Sequence, residues 1–257
     1  MKIQYASDLH LEFLENRRYL NSMLIEPVGD ILVLAGDIVY LKDRLMEQSR
    51  FFRWASEHFQ QTLIVPGNHE FYGGYDISRC VADFKYRIRD NVEFYNNRST
   101  RIDDTEFFLT TLWSHIPKLS EKTIETGMND FYHSKFDGKK LTVDIYNRLH
   151  AYSLAWLDTA LVESTALHKV VISHHCPTLQ MCTPEELCSP LNPAFTTELS
   201  GFIKKHDIDY WICGHTHSNY PAIRIGKTTI VNNMLGYVEY ETVHKSFKHD
   251  AMIELIY

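Results

Sequence analysis

The chain has 257 residues, 44% of them hydrophobic, enough for a substantial core in one large α/β domain and against a disordered chain. A formal charge of -7 argues against a surface that tracks a nucleic-acid backbone, which lysines and arginines would have to neutralise, and leaves room only for a local basic groove. The five cysteines are too few and too scattered to frame a chain of this size, so even Cys182 and Cys188, which have the spacing to pair or bind metal, are read as reduced thiols of a cytoplasmic protein.

The N-terminus reaches a polar loop at Ser7-Asp8 without the apolar segment of a secretory signal. No apolar run approaches the ~20 residues of a membrane-spanning helix, so a soluble protein is expected. Lys2 to Ala6 reads as a strand ending at Asp8-Leu9-His10, where extended alternation would turn a carboxylate and an imidazole to one side. Asp30 to Ala35 is a nearly continuous apolar strand of the kind buried on both faces, and it stops at Gly36-Asp37. Helical spacing of Leu41, Leu45, Phe52, Ala55 and Phe59 predicts a crossover helix within 41–60, leading into a strand over Thr62 to Val65. That strand breaks at Pro66-Gly67 and presents Asn68, His69 and Glu70.

After the aromatic, glycine-rich stretch 71–75, a helix is expected from about Asp76, with Ile77, Cys80, Val81, Phe84 and Ile88 on one face. Strands follow over Val92 to Tyr95 and Glu106 to Leu112, the latter leading to Trp113. Residues 116–140 read as an irregular excursion across a rim. Leu141 to Ser164 is a long helix facing inward with Ile145, Leu149, Tyr152, Trp156 and Ala160. Lys169 to Ser173 is a β-branched strand that ends at His174-His175. The proline-rich loop 178–194 has the length of a lid or specificity element. Phe195, Leu199, Phe202 and Ile203 mark another helix, and Tyr210 to Cys213 is a strand that ends at Gly214-His215-Thr216-His217. Segments 222–225, 228–231 and 251–256 read as an antiparallel completion of a sheet. His133, His150, His168, His244 and His249 are expected at the surface. With no repeat or linker, the whole of 1–257 reads as one domain.

Five apolar runs thus finish at Asp8/His10, Asp37, Asn68/His69, His174 and His215/His217, and open α/β sheets bind ligands beyond the carboxyl ends of their strands. Two aspartates, an asparagine and several histidines suit borderline or hard divalent cations such as Mn, Fe or Zn better than a thiolate zinc module. One ion would not use so many donors, whereas two ions about 3.5–4 Å apart, sharing a carboxylate, would.

In that order, Asp-x-His, Gly-Asp, Gly-Asn-His-Glu, His and Gly-His-Thr-His resemble the calcineurin-like metallophosphoesterases, from Asp8 to His217. The resemblance implies a four-layer α/β/β/α sandwich, two mixed β-sheets flanked by helices, and a dinuclear metal centre. One ion would lie among Asp8, His10, Asp37 and His217, the other among Asp37, Asn68, His174 and His215, with Asp37 as the bridge. Two divalent ions against two aspartates leave a net charge of about +2, attractive to phosphate. A hydroxide held between the ions would attack phosphorus in line. His69, next to a ligand but not itself one in the resembling family, would protonate the leaving oxygen.

Departures from the family narrow the expectation. The Ser/Thr protein phosphatases extend the second motif to Gly-Asp-x-x-Asp-Arg-Gly and place an arginine before Gly-Asn-His-Glu. This chain has Tyr40-Leu41-Lys42 and Val65-Pro66 instead, and so lacks both the acid that orients the histidine and the arginines that grip a phosphoprotein. Small phosphomonoesters or phosphodiesters are the expected substrates, with a nuclease or cyclic-nucleotide phosphodiesterase as the alternative. A non-catalytic scaffold would have lost a ligand or the proton donor, and this chain has all of them. Tyr72, Trp113, Asp130 and His175 are expected to line the substrate rim.

Overall fold

The computed structural model describes residues 1–22, 25–41 and 49–255. Among the described residues there are fourteen strands and seven α-helices. The strands are β1 (Lys2–Ala6), β2 (Ile31–Leu34), β3 (Gln61–Ile64), β4 (Phe84–Arg89), β5 (Val92–Asn96), β6 (Arg98–Ile102), β7 (Thr105–Thr110), β8 (Lys135–Phe136), β9 (Lys139–Lys140), β10 (His168–Ser173), β11 (Tyr210–Cys213), β12 (Ile223–Ile225), β13 (Thr228–Asn232) and β14 (Met252–Glu254). The helices are α1 (Leu14–Ser22), α2 (Arg50–His58), α3 (Glu121–Gly127), α4 (Asp130–His133), α5 (Val143–Glu163), α6 (Pro184–Cys188) and α7 (Ser200–Lys205).

Two six-stranded sheets are formed, in the orders β14-β1-β2-β3-β5-β4 and β12-β13-β11-β10-β7-β6. In each, parallel strands occupy the centre and an antiparallel strand closes either edge. The period-2 alternation of each strand divides its side chains between two apolar layers. Ile31 and Val33 of β2 face Phe107 and Leu109 of β7 and Val170 and Ile172 of β10 across the gap between the sheets. Leu32 and Leu34 point the other way, onto Leu20 of α1 and Phe52 and Ala55 of α2. Phe108, Val171 and Trp211 cover the outer face of the second sheet, under Leu157 and Leu161 of α5 and Ile203 of α7. Helix, sheet, sheet and helix are therefore four layers, as expected.

Several local expectations are corrected. The run from Asp76 is a short turn, Ile77–Cys80, followed by β4, because Phe84, Tyr86 and Ile88 alternate with Lys85, Arg87 and Arg89 and fit a pleat better than a helix face. β6 was not foreseen, since an edge strand of sequence RSTRI carries no apolar signal. α5 buries Val143, Tyr146, Leu149, His150, Ser153, Leu157 and Leu161 and leaves Tyr152 45% exposed, so its inward face is rotated from the expected stripe. The last three strands are shared between the sheets: β12 and β13 join the second, and β14 pairs with β1 of the first. The crossover helix is observed as α2, and its expected first part, 42–48, lies outside the described residues. Within 116–140, α3, α4 and the β8–β9 hairpin give order to the expected irregular stretch. All five cysteines are free thiols. No helix among the described residues is long and apolar enough to cross a membrane.

Candidate metal centre

The C-terminal ends of β1, β2 and β3 in one sheet and of β10 and β11 in the other meet at a common edge, and the polar motifs follow those ends. Asp8, His10, Asp37 and His217 bring one donor atom each to within 4.8 Å of one another, and Asp37, His174 and His215 do the same beside them. Asn68 completes the second group, its Oδ1 lying 3.0 Å from His174 Nε2. The seven expected ligands are thus brought together, with Asp37 in both groups.

The strand-alternation argument for Asp8 and His10 does not hold, because β1 ends at Ala6. Both residues instead adopt left-handed backbone, φ 55° and 46°, as do Asp37 at 55°, His215 at 76° and His217 at 51°. Such φ values are uncommon outside glycine, and strain of this kind collects at functional sites. Two glycines make the approach possible. A Cβ on Gly67 would stand 2.1 Å from Asp37 Oδ1, and one on Gly36, itself at φ 90°, would stand 2.3 Å from His174 Nδ1.

Gly36→Ala is therefore expected to cost at least ~1–3 kcal/mol in backbone strain and to push His174 out of line as well. Gly74 has a similar φ of 93° with nothing within 4 Å of where a Cβ would stand, so Gly74→Ala should lower the melting temperature alone. Metal content and thermal melts of the two variants test this: loss of metal belongs to Gly36→Ala only.

Hydrogen-bond partners fix the histidine tautomers. His10 Nδ1 faces Glu12 Oε1 at 3.0 Å, His217 Nδ1 faces Glu241 Oε2 at 2.7 Å, and His174 Nδ1 faces the Ala35 carbonyl at 2.9 Å. Each of those partners accepts only from an N–H, so all three Nε2 atoms turn lone pairs inward. His10 Nε2 and His217 Nε2 are 3.1 Å apart, His217 Nε2 is 3.3 Å from Asp8 Oδ1, and His174 Nε2 is 3.4 Å from Asp37 Oδ1 and 3.1 Å from His215 Nδ1. Atoms converging so closely need either protons or a cation among them, and a cation satisfies all of them at once. The donor set therefore fits divalent metal, and outward N–H bonds to carboxylate and carbonyl are the usual support of metal-binding imidazoles.

Electrostatics agree. Burial disfavours the imidazolium at His217, yet Asp8 and Glu241 outweigh it and hold the ring up at about 10, while Asp37 and Asp8 hold His174 at about 9 against the same desolvation. Burial would raise Asp37, but His174, His69 and His10 keep it well below the usual carboxylate range. The pocket thus demands positive charge.

His69 begins a turn, His69–Phe71, directly after Asn68. Its backbone N–H donates to Asp37 Oδ1 at 2.9 Å, while its ring stays outside both ligand groups: Nδ1 lies 3.1 Å from Glu12 Oε1 and Nε2 lies 2.8 Å from the Tyr237 hydroxyl. Tyr72 stacks on it with ring centroids 4.3 Å apart. Burial opposes the charged ring, but Asp37, Glu12 and Asp130 together raise its pKa.

Of the residues expected on the rim, only Tyr72 is partly exposed. Trp113, Asp130 and His175 are 2%, 1% and 0% exposed and lie behind the ligands. Asp130 accepts from the Tyr72 hydroxyl at 2.9 Å, and Tyr72 in turn accepts from Asn68 Nδ2 at 3.0 Å, an arrangement that aims the Asn68 oxygen at His174. His175 bonds to the Tyr146 hydroxyl, and Trp113 packs on Phe71. His150, expected at the surface, is buried against the Leu112 and Trp113 carbonyls.

Three residues, and the role of a fourth, Glu70, escaped sequence reasoning. Glu12 and Glu241 face the Nδ1 atoms of His10 and His217. Tyr237 meets His69. Glu70 accepts from the backbone N–H groups of Asp37, Ile38, Val39 and Gly67, tying the second motif to the third. Glu12, two residues beyond His10, and Glu70, within Gly-Asn-His-Glu, carried a local signal.

Comparison with known proteins accords with this geometry. The family model for calcineurin-like phosphoesterases matches residues 1–219. The chain belongs to that family, whose members are hydrolases acting on phosphate esters. It is 30% identical over 259 residues to the uncharacterized protein L509 of Acanthamoeba polyphaga mimivirus, a match that covers 91% of each. Among solved structures, the phosphopantetheinyl hydrolase of Mycobacterium tuberculosis is similar in fold, with a TM-score of 0.63 at 17% identity over 93% of this chain and 90% of that one.

Proposed function

We propose that this protein hydrolyses small phosphomonoesters or phosphodiesters at a dinuclear centre, with His69 as the general acid. The reading is carried by one observation: two inward-facing donor groups share Asp37, and an unligated histidine stands beside them. Asp8, His10, Asp37 and His217 would hold one ion, and Asp37, Asn68, His174 and His215 the other. Bound divalent ions, Mn, Fe or Zn, supply Lewis acidity toward the phosphoryl oxygens and a water of lowered pKa.

The chain's own residues do the rest. Asp37 keeps His69 in place through its backbone N–H, and the His69 ring turns Nε2 toward the Tyr237 hydroxyl, the nitrogen from which a leaving oxygen would take its proton. Tyr72, half-buried against that ring, forms one wall for the ester group.

A single domain over 1–257 is supported by contacts from beyond the matched residues: Tyr237 and Glu241 reach His69 and His217, and β14 pairs with β1. Five free thiols fit a cytoplasmic location.

The test is turnover of p-nitrophenyl phosphate and bis(p-nitrophenyl) phosphate across a series of added Mn, Fe and Zn. Activity toward at least one ester should depend on added metal and vanish in chelator. Inertness toward both esters across the whole series would sink the reading.

A further inference from the structure

The loop 178–194 contributes none of the converging donors, yet it ends against them. Phe195, directly after it, stacks on the His215 ring with centroids 4.6 Å apart and planes at 24°. Between this loop and Thr216, the residue separating His215 from His217, lies a cavity of about 220 Å³ lined by Glu186, Ser189, Leu191, Asn192, Phe195 and Thr216. At ~30 Å³ per water, that is room for a short branched group and not for a long chain.

The walls are held in place by hydrogen bonds. Glu186 closes a capping box at the start of α6: its N–H donates to Thr183 Oγ1 at 3.1 Å, and its Oε2 accepts from the Thr183 N–H at 2.6 Å. Its Oε1 accepts from the hydroxyl of Ser218, the residue after His217, so one carboxylate ties the loop to the last motif. Asn192 is buried, with its amide donating to Cys182 Sγ at 3.6 Å and its carbonyl accepting from the Phe195 N–H at 2.8 Å. The lining therefore holds one carboxylate and one aromatic ring, and no lysine or arginine. Such a pair favours an ammonium group, which the carboxylate attracts and the ring face supports.

The cavity is also separate from the surroundings of His69. That ring meets Glu12, Tyr72 and Tyr237, and none of these lines the cavity. A leaving group beside His69 and a group in the cavity would be two different substituents of one phosphorus.

We propose that this cavity is a subsite for the second, non-leaving arm of a phosphodiester, and that the arm it takes is short and carries an ammonium group. This rests on the reading of the metal centre as a phosphoesterase site and narrows it to diesters. The phosphoryl oxygens belong with the cations and the ammonium with Glu186 and Phe195, so the two charges of the substrate admit one orientation. Hydrolysis breaks the bond from phosphorus to the leaving oxygen; a hydroxyl from water joins phosphorus, and the proton ends on the leaving group. The ammonium-bearing arm stays on the monoester product.

The test uses two diesters that share a leaving group, p-nitrophenyl phosphorylcholine and ethyl p-nitrophenyl phosphate. The metal-loaded full chain should turn over the choline ester with kcat/KM at least about tenfold above the ethyl ester, most of it in KM. Glu186→Gln should bring the two within about threefold, because it removes the charge while glutamine still closes the capping box. Thermal melts check that the fold is kept, and if that variant melts early, Ser189→Lys, which brings a cation to the same wall, decides instead and should abolish the preference. Calorimetry of phosphocholine against ethyl phosphate reads the cavity without turnover and should show the same preference and the same loss.

Equal kcat/KM for the two esters, or a preference that survives both Glu186→Gln and Ser189→Lys, would overturn the proposal and leave the phosphoesterase reading standing. If neither ester is hydrolysed with any metal while phosphocholine binding still depends on Glu186, the subsite stands and the hydrolase reading falls. Absence of both hydrolysis and binding sinks the two together.

Discussion

Asp37→Asn should remove metal before it alters anything else, and with it most of the activity. Asp37 is the only side chain in both donor groups, with Oδ2 3.9 Å from His10 Nε2 and Oδ1 3.4 Å from His174 Nε2. An asparagine keeps the shape, but one of the two oxygens becomes an amide nitrogen with no lone pair to offer. Which one is decided locally. The His69 backbone N–H donates to Oδ1 at 2.9 Å and needs an acceptor there, so the NH₂ group falls at the Oδ2 side, toward His10 and His217. The ion among Asp8, His10 and His217 is thus the one expected to be lost first.

Elemental analysis should show stoichiometry falling from about two ions per chain toward one or fewer, and kcat falling by on the order of 10³-fold, about 4 kcal/mol of transition-state stabilisation. Excess metal in the assay should recover only part of it. Full occupancy in Asp37→Asn would mean that this carboxylate bridges nothing.

The layers were legible because strand chemistry is local. Runs such as Ile31 to Leu34 and Val170 to Ser173 are short, β-branched and stopped by polar or glycine residues, and nothing in such a run competes with a buried parallel strand. The grouping of donor residues was legible for the same reason, since each sits at the end of its run and its residue type suggests its chemistry. Local reading failed where tertiary contacts decide. The Tyr237 hydroxyl reaches His69 across 168 positions and Glu241 reaches His217 across 24, and neither lies near a recognisable run.

Glu12, though close to His10, lies outside the motifs that carry the family resemblance, whose orienting acid would follow Gly36-Asp37. In the structure the carboxylate nearest the His69 ring is that of Glu12, with Oε1 3.1 Å from Nδ1. Trp113, Asp130 and His175 mislead in the opposite way: polar or aromatic residues beside strand ends look like a rim, yet here they pack behind the ligands, where Asp130 and Tyr72 hold the Asn68 amide by hydrogen bonds. The mixed apolar composition of α5 blurred its period, so that only packing against β7 fixed which stripe turned inward.

His69→Ala separates chemistry from metal binding, and the geometry says why it can. Among the described residues the ring hydrogen-bonds Glu12 and Tyr237, and the hydrogen bond that steadies Asp37 comes from the His69 backbone, which alanine retains. Both ions should therefore stay, measured per chain, while the chemical step slows by roughly 10²–10⁴-fold, the usual yield of a positioned proton donor. That is about 2.7–5.4 kcal/mol in barrier, and it should depend on the ester.

A nitrophenolate leaves without help, so its hydrolysis should suffer least; an alkoxide cannot, so its hydrolysis should suffer most. KM should move little, because the lost interaction is made to the leaving oxygen as the bond breaks and not to the bound ester. An equal loss on both esters with metal retained would assign the ring to holding the phosphoryl group, and a loss of metal would make His69 a part of the centre it borders.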